Sequence, residues 1–341
     1  MTQTPGETSL GTPLTWLYVP GDRPGVVAKA LGCGADVVVV DLEDAVAPDR
    51  KGYALHATAE LLADPVPGPS PVHVRVNALD GPLAETEIRT LAALPGLAGL
   101  RLPKVQGPAD IHRAAGWATT AGPPASPALA GRPAARRSCA PVDGAAASGR
   151  AAPQSATTVL TPVAAGALPA TPALYALLES ALGIEHAFAI ATAHPALRGI
   201  AVGEADLSAE LGVRDDAGLA WPRSRTVVAA RAAGLPPPPQ SVYPDVRDLE
   251  GLARSSARGR ALGFLGRAAI HPRQLPVIEA AHLPSSQEVE AAERIVRAAA
   301  AQGGAQALPE GGFVDAAVVA GARRVLSLAG RRSRAGTERS R

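Results

Sequence analysis

The stretch VVVVDLEDAV, residues 37–46, gives the first indication of both the fold and a functional site. Four consecutive valines predict a strand that is buried on both faces, as strands of parallel sheets covered by helices are. The run ends in three carboxylates, Asp41, Glu43 and Asp44, which we call the acidic block. Because ionised carboxylates are costly to bury without a compensating charge, the block is either a solvated strand end or a group that faces a cation.

Short strand-like runs alternate with longer helical patterns along most of the chain. This order is typical of parallel strands joined by crossover helices. Eight strand-helix units within about 270 residues favour an α/β fold of the TIM (β/α)8 barrel type over an open sheet. The predicted strands are residues 14–21, 35–43, 71–78, 99–105, 174–180, 199–207, 240–246 and 267–272.

The predicted TIM-barrel catalytic domain covers residues 14–282, and an appended C-terminal helical arm covers residues 283–330. Ser285 or Ser286, followed by Glu288, predicts a capped start for the first helix of the arm. The arm lies beyond the strand-helix repeat. We therefore expect it to fold back on its own barrel or to reach a neighbouring chain.

Three segments are predicted to be disordered. Residues 1–13 lack a helical or strand pattern, and the basic tail 331–341 carries no large apolar side chain. Residues 117–172 are dominated by Ala, Pro, Gly, Ser and Thr, far more chain than one connection needs. Either a disordered insertion or a local reading-frame error in the gene would give this composition.

The overall composition excludes several classes of function. The chain has 341 residues, and its 33 basic and 31 acidic residues give a formal net charge of +2. This balance offers no general attraction to nucleic acid or to an anionic membrane. Cys33 and Cys139 lie far apart without a metal-ligand spacing, and no apolar run approaches the roughly 20 residues of a membrane span. We expect a cytoplasmic protein.

Polar residues follow the predicted strands at the end where barrels carry their reactive groups. Carboxylates from different strands suit Mg²⁺, and an arginine suits a substrate carboxylate because it can bind both oxygens. Taken singly, each residue fits a structural role as well: a solvated acid, a salt-bridge partner, or a histidine at the barrel rim. The residues are Arg23, Asp41, Glu43, Asp44, Arg75, Asn77, Lys104, Glu179, Glu204, Asp206 and His271.

Several ordered blocks of the chain resemble the citrate lyase beta subunit-like family of CoA-ester lyases within the HpcH/HpaI aldolases, relatives of malyl-CoA and citramalyl-CoA lyases. Together these blocks are far more specific than any one of them. They are LYVPGDRP, GADVVVVDLEDAV, VHVRVNALDGP, LRLPKV, LLESALGIEHAFAIA, GEADLSAELG and GFLGRAAIHPRQL.

The resemblance implies a TIM barrel that assembles as a homotrimer or hexamer and uses Mg²⁺, with Mn²⁺ as a substitute. It implies reversible cleavage of a carbon-carbon bond in a 3-hydroxyacyl-CoA, such as malyl-, citramalyl- or citryl-CoA. The products are acetyl- or acyl-CoA and a 2-keto acid. Glu179 and Asp206 match the two metal ligands, Arg75 matches the arginine that binds the keto-acid carboxylate, and the acidic block matches the acidic residues beside the metal.

Asp315, in GGFVDAAVV, matches a catalytic aspartate that reaches the active site of the adjacent subunit, although a residue at the start of a helix would look the same. Arg23 and Lys104 are candidates to bind the CoA phosphates. The chain departs from the family pattern at Ser180, where threonine is common, and at Gln240, where aspartate is common. Hydrolysis of the thioester after condensation stays open, as do a CoA-independent class II aldolase that cleaves a pyruvate-derived acid and a degenerate, non-catalytic barrel.

Overall fold

The computed structural model of the protein describes residues 12–120, 171–301, 306–307 and 312–338. Most of the segments predicted to be disordered lie outside these ranges. They include residues 1–11, residues 121–170 of the predicted insertion and residues 339–341 of the predicted tail.

A parallel sheet of seven strands forms the centre of the protein, in the order β6-β5-β4-β3-β2-β1-β7. Trp16 in β1 pairs with Val37 on one side and with Ala268 on the other, so the first strand lies between the second and the last. Seven of the eight predicted strands are thus confirmed. The strands are β1 (Thr15–Pro20), β2 (Val37–Asp41), β3 (Val72–Arg75), β4 (Leu97–Leu102), β5 (Leu174–Leu178), β6 (Leu197–Val202) and β7 (Arg267–Ala269).

The prediction of a strand at residues 240–246 is wrong. In this part of the chain Gln240 forms a single parallel bridge to Arg267, and no ladder follows it. Prolines at 236–239 and at 244 lack the N–H group that a ladder needs. The sheet is therefore TIM-barrel-like with seven strands, rather than the closed eight-stranded barrel that the sequence predicts.

Helices follow the strands and cover the outer face of the sheet. They are α1 (Pro24–Leu31), α2 (Lys51–Leu62), α3 (Ala84–Leu91), α4 (Pro108–Thr119), α5 (Ala181–Glu185), α6 (Ala187–Ala191), α7 (Glu204–Leu211), α8 (Ala220–Ala232), α9 (Leu249–Ala261) and α10 (Leu275–His282). The prediction that strand 199–207 includes Asp206 is wrong, because β6 ends at Val202 and α7 begins at Glu204. Two acidic residues in its first turn suit the positive end of the helix dipole.

The valine run in β2 is buried on both faces, as predicted. Val38 and Val40 belong to the large core between the sheet and the helices. Val37 and Val39 point the other way and pack with Trp16 inside the barrel. Because successive side chains of a strand alternate between faces, Asp41 falls on the same side as Val37 and Val39.

Two more helices follow the barrel: α11 (Ser286–Ala301) and α12 (Ala316–Glu338), which pack against each other. Between them, β8 (Gln306–Ala307) and β9 (Phe313–Val314) pair in antiparallel fashion. The predicted cap of α11 is confirmed at Ser285, whose Oγ accepts the Glu288 N–H at 3.2 Å while Glu288 Oε2 accepts the Ser285 N–H at 2.7 Å. Helix α12 is longer than predicted and continues into the predicted tail. Among the described helices, none is long and apolar enough to cross a membrane.

Candidate active site

A cavity of about 310 Å³ opens at the carboxyl ends of β3 to β6. Its wall carries more negative than positive side chains, and this excess favours a bound cation. The acidic residues of the wall are Asp80, Asp110, Glu179, Asp206 and Glu210, and the basic residues are Lys104 and Arg113. The structure thus brings together Glu179, Asp206 and Lys104 of the predicted site.

The acidic block surrounds Arg75 beside this cavity. Arg75 donates from Nε to Asp41 Oδ1 at 2.8 Å and from Nη2 to Asp41 Oδ2 at 2.6 Å. Its Nη1 lies 3.0 Å from Glu43 Oε2 and 3.1 Å from Asp44 Oδ2. Burial tends to lower the pKa of the guanidinium, but the hydrogen bonds to Asp41 outweigh this effect and raise it. Arg75 therefore supplies positive charge that compensates the three carboxylates of the acidic block.

The backbone of the acidic block is fixed by the predicted residue Asn77 and by Lys51, which sequence reasoning missed, as it missed Glu87. Lys51 Nζ donates to the carbonyl oxygens of Leu42 at 2.7 Å and Glu43 at 2.6 Å. Asn77 Nδ2 donates to the Leu42 carbonyl at 3.0 Å and to buried Glu87 at 2.5 Å. Burial raises the pKa of the Glu87 carboxyl. Glu87 lies in α3, the helix that follows β3, and faces the protein interior. In the sequence such a residue looks like an ordinary surface charge of a helix.

Lys104 links the acidic block to the metal-ligand candidates. Its Nζ lies 2.8 Å from Glu43 Oε1, and its backbone N–H donates to Glu179 Oε2 at 3.1 Å. The hydrogen bond to Glu43 raises the pKa of the Lys104 amine. Lys104 has a φ of 52°, the only positive φ of a non-glycine residue in the described chain. A residue with a side chain is strained in this backbone conformation, and such strain points to a functional constraint at Lys104.

Glu179 follows β5 directly and is buried. Burial, the negative charge of Glu43 and that of Asp206 raise its pKa to about 7, although Arg75 opposes the shift. Gly203 makes room for this side chain, because a Cβ at position 203 would lie 2.6 Å from Glu179 Oε1. The carboxylates thus stand close enough to repel one another, and a cation between them would relieve the repulsion.

The side chains present fit a magnesium ion. Burial raises the pKa of Glu43, and its buried Oε2 finds no hydrogen-bond partner among the described residues in spite of its nearness to Arg75. Within the described ranges, no three His, Cys, Asp or Glu side chains form a closed metal cluster. Mg²⁺ typically takes one or two protein carboxylates and keeps several waters, so Glu179 and Asp206 suffice as a pair.

Other predicted residues do not line the cavity. The side chain of Arg23 is 68% exposed and lies 4.0 Å from Asp22 Oδ1. Asp315 caps α12, where its Oδ1 accepts the Val318 N–H at 2.8 Å. His271 Nδ1 accepts the N–H of a residue two positions later at 3.1 Å, which gives it a local structural role. Arg75 stands behind the acidic block rather than in the cavity wall.

Glu204, one of the strand-end acids, is held by Arg223, which sequence reasoning missed. Arg223 donates from Nε and Nη2 to the two carboxylate oxygens of Glu204 at 2.8 and 2.7 Å. Arg223 lies within α8, so only the fold reveals its proximity to the start of α7.

A barrel-like parallel sheet with charged side chains gathered at the carboxyl ends of its strands is typical of TIM-barrel enzymes. Residues 14–272 match the family model described as HpcH/HpaI aldolase/citrate lyase, and the chain belongs to this family. The resemblance seen in the sequence blocks is thereby confirmed.

Three similar proteins cover nearly the whole chain. Citrate lyase subunit beta of Leuconostoc mesenteroides subsp. cremoris is 30% identical over 321 residues, 92% of each chain. A (3S)-malyl-CoA thioesterase of Cereibacter sphaeroides is 31% identical over 319 residues, 92% of this chain and 93% of the relative. The crystal structure of CitE from Mycobacterium tuberculosis in complex with magnesium, acetoacetate and coenzyme A is 28% identical, with a TM-score of 0.68, and the match covers 94% of this chain and 99% of that chain.

Proposed function

We propose that the chain is a Mg²⁺-dependent CoA-ester lyase. It cleaves or forms a carbon-carbon bond in a 3-hydroxyacyl-CoA such as malyl-, citramalyl- or citryl-CoA, with acetyl- or acyl-CoA and a 2-keto acid as the other reactants. One observation carries the proposal: two carboxylates, Glu179 and Asp206, share a cavity in which the pKa of Glu179 is raised to about 7. The named relatives and the magnesium and coenzyme A in the CitE crystal structure support it.

Glu179 and Asp206 would hold the magnesium ion. When bound, Mg²⁺ supplies Lewis-acid polarisation of the substrate oxygen that becomes the keto group. The carboxylates of the acidic block would bind water molecules that the magnesium ion keeps. The protein's own part is to orient the substrate. Arg75 would bind the carboxylate of the keto acid through Nη1, in exchange for its contact with the exposed Asp44, while Nε and Nη2 stay bound to Asp41.

Proton transfer is assigned to Asp315. In cleavage the 3-hydroxyl loses its proton to solvent as it becomes the keto group, the carbon-carbon bond breaks, and the carbon next to the thioester takes up a proton; condensation runs these transfers in reverse. Since Asp315 caps α12 and does not line the cavity of its own barrel, we propose that it acts in the cavity of a neighbouring subunit. A homotrimer or hexamer would bring the C-terminal helices of one copy to the barrel mouth of the next.

CoA phosphates would be bound at the barrel mouth. Arg23 is exposed there before α1, and its Nε lies 4.0 Å from Asp22 Oδ1, at the limit of an ion pair. The Lys104 amine is 41% exposed at the side-chain level and lies between Glu43 and solvent. Arg23 could therefore reach a phosphate without leaving a buried carboxylate unpaired, whereas Lys104 would first give up its hydrogen bond to the buried Glu43.

A thioesterase is the second candidate function. The similarity to the (3S)-malyl-CoA thioesterase of Cereibacter sphaeroides favours it, and its identity to this chain is as high as that of the citrate lyase subunit. Release of free CoA from malyl-CoA, without a keto acid as product, would identify this activity.

Thermal unfolding tests the proposal. The protein is melted with EDTA, with Mg²⁺, and with Mg²⁺ plus acetyl-CoA and either glyoxylate or oxaloacetate. A ligand that binds only the folded state raises the melting temperature, so we expect one rise with the metal and a second with the thioester. Stabilisation by Mg²⁺ and keto acid without any effect of CoA would favour a CoA-independent aldolase, and no shift with any ligand would favour a non-catalytic barrel.

Variants show whether the metal binds where we propose. Glu179→Ala and Asp206→Ala should each abolish the rise with Mg²⁺ and the turnover while the barrel still folds. Glu250→Ala is the matched control, because its side chain is 93% exposed on α9, away from the cavity. Full Mg²⁺ stabilisation in the Glu179 or Asp206 variant would show that the ligand assignment is wrong.

A further inference from the structure

The sheet has an open edge beside Asp206. On one side β6 is the last strand of the ladder, and on the other side Gln240 is the last backbone partner. We call the gap between them the seam, because no backbone ladder crosses it within the described residues. Helix α7 starts at this seam, and Asp206 lies in its first turn. The position of Asp206 therefore depends on the side chains that hold α7 there.

Arg223 holds the first residue of α7. Its guanidinium binds both carboxylate oxygens of Glu204, at 2.8 and 2.7 Å. The Arg223 side chain is 11% exposed and that of Glu204 is 17% exposed, so water screens the pair weakly. Asp216 fixes Arg223 from a second direction, with Nη2 and Oδ1 2.7 Å apart. A bidentate pair held from two sides leaves the start of α7 little freedom to shift.

The far side of the seam contributes a second contact. The Glu204 N–H donates to Ser241 Oγ at 3.4 Å, a long hydrogen bond. The Ser241 carbonyl accepts from Arg267 Nε at 2.9 Å, and the buried Arg267 side chain also donates to Ser256 Oγ at 3.1 Å. Thus α7 is fastened to α8 by a strong ion pair and to the segment after Gln240 by a weaker contact. Of the two, the Arg223 pair dominates.

We propose that Arg223 is a positioning residue for Asp206: by fastening α7 at the seam it holds that carboxylate where it can bind a metal ion. The inference rests on the proposed function, in which Asp206 is a magnesium ligand. Arg223 does not line the cavity, so it acts through the helix rather than by contact with substrate. Loss of a residue that orients a metal ligand typically costs tenfold to a hundredfold in metal affinity.

Two measurements on purified protein test this. Hydrogen exchange of the metal-free protein reports how firmly the peptide covering residues 203–211 is held, and calorimetric titration with MgCl₂ reports metal affinity. The variants are Arg223→Met, which removes the pair, and Arg223→Lys, which keeps the charge without the bidentate geometry. Arg258→Met is the matched control, because Arg258 also pairs with Asp216, at 2.9 Å, and its side chain is 60% exposed.

In Arg223→Met we expect faster exchange at residues 203–211 and at least tenfold weaker Mg²⁺ binding. Both changes should be smaller in Arg223→Lys, and Arg258→Met should change the Mg²⁺ affinity less than twofold. If Arg223→Met fails to fold, the same comparison is made with Arg223→Lys. Unchanged exchange in a folded Arg223 variant would overturn the inference, and so would faster exchange with wild-type Mg²⁺ affinity. If the wild-type protein binds no Mg²⁺, both the inference and the proposed function are overturned, even when exchange is faster in the Arg223 variants. If the wild type binds Mg²⁺ but exchange is unchanged in the variants, the inference alone is overturned.

Discussion

Arg75 and Asp41 form the bidentate ion pair on which the acidic block is built. Their two hydrogen bonds measure 2.8 and 2.6 Å, and the two side chains are 13% and 3% exposed. Asp41 also accepts the backbone N–H groups of Glu43 at 2.9 Å and Ala45 at 3.1 Å, so the same carboxylate shapes the turn that follows β2. Arg75 thus offsets part of the negative charge of the block, and it holds in place the carboxylate that binds the backbone of the turn.

Removal of Arg75 should destabilise the protein strongly. We expect Arg75→Met to lower the free energy of unfolding by roughly 3–5 kcal/mol, because it leaves the buried carboxylate of Asp41 without its cation. Urea unfolding measures the loss. The control is Arg89→Met, which breaks exposed contacts with Glu85 in α3 and with Thr120 and should cost about 1 kcal/mol or less. Similar losses in the two variants would contradict the assigned role of Arg75.

The contribution of Glu179 to the stability of the metal-free protein should fall as the pH rises from about 4.5 to 7, whereas the lowered pKa values of the buried His73 and His282 act in the opposite direction. The folded-state pKa of Glu179 is about 7, against an ordinary value of 4.5, so folding favours its protonated form. Its contribution to stability is fully present below pH 4.5 and is lost as the carboxyl ionises. At about 1.4 kcal/mol per pKa unit the loss is roughly 3 kcal/mol.

Comparison with Glu179→Gln isolates this contribution, because the amide does not titrate. Urea unfolding in EDTA at several pH values should show a difference between wild type and variant that changes with pH in the stated direction. Magnesium has the opposite preference and binds the ionised carboxyl, so its affinity should weaken below pH 7. A pH-independent difference between the two proteins would refute the raised pKa.

Gly203→Ala should displace the Glu179 side chain. The new Cβ would overlap Glu179, so we expect a loss of about 1–3 kcal/mol in stability and of the Mg²⁺-dependent rise in melting temperature. Gly116→Ala is the control: this glycine lies within α4, and in the part of the chain that the structure describes nothing outside the helix lies within 4 Å of the added Cβ. That substitution should stabilise the protein by about 0.5–1 kcal/mol, since alanine favours helix.

The positive φ of Lys104 gives a prediction of its own. Lys104→Ala and Lys104→Gly both remove the amine, but only alanine keeps a Cβ in the strained conformation. We expect the glycine variant to be more stable by about 1 kcal/mol in urea unfolding. At Lys29, in the last turn of α1, the same two substitutions should rank in the opposite order. Alanine more stable than glycine at both sites would rule out strain at Lys104.

Asp315 can be tested without loss of its helix cap. Asparagine caps helices about as well as aspartate, so Asp315→Asn should keep wild-type stability and Mg²⁺ binding yet lose turnover. Asp315→Ala should lose turnover and about 1 kcal/mol of stability as well. Malyl-CoA cleavage and thermal unfolding measure the two properties. Wild-type turnover in Asp315→Asn would exclude the residue from proton transfer.

The sequence predicted the strands and the acidic block because both depend on local pattern. The valines of β2 point alternately into two apolar clusters, so all four positions are apolar and the strand is visible as a continuous run in the sequence. The paired carboxylates Glu179 and Asp206 were found through strand ends and family resemblance. Both line one cavity, and their role as metal ligands stays a prediction.

The errors and omissions depend on contacts that are distant in sequence. A strand was predicted at Gln240 from β-branched and aromatic residues, but the neighbouring prolines lack the donors for a ladder. Arg223 and Glu87 form buried ion pairs or hydrogen bonds from positions on helices. Nothing in a local window separates such residues from the exposed charges that occupy most helix positions.

The pairing of β1 with β7 joins the first and last strands of the sheet in chain order. Strands β1 to β6 can pair one after another as the chain leaves the ribosome, since each lies beside its predecessor. β1, in contrast, has an unpaired edge until Arg267–Ala269 has been synthesised. Contacts between such remote segments form slowly, and an exposed strand edge invites pairing with other chains. Aggregation during synthesis should therefore begin at β1, and chains truncated before β7 should be the least soluble.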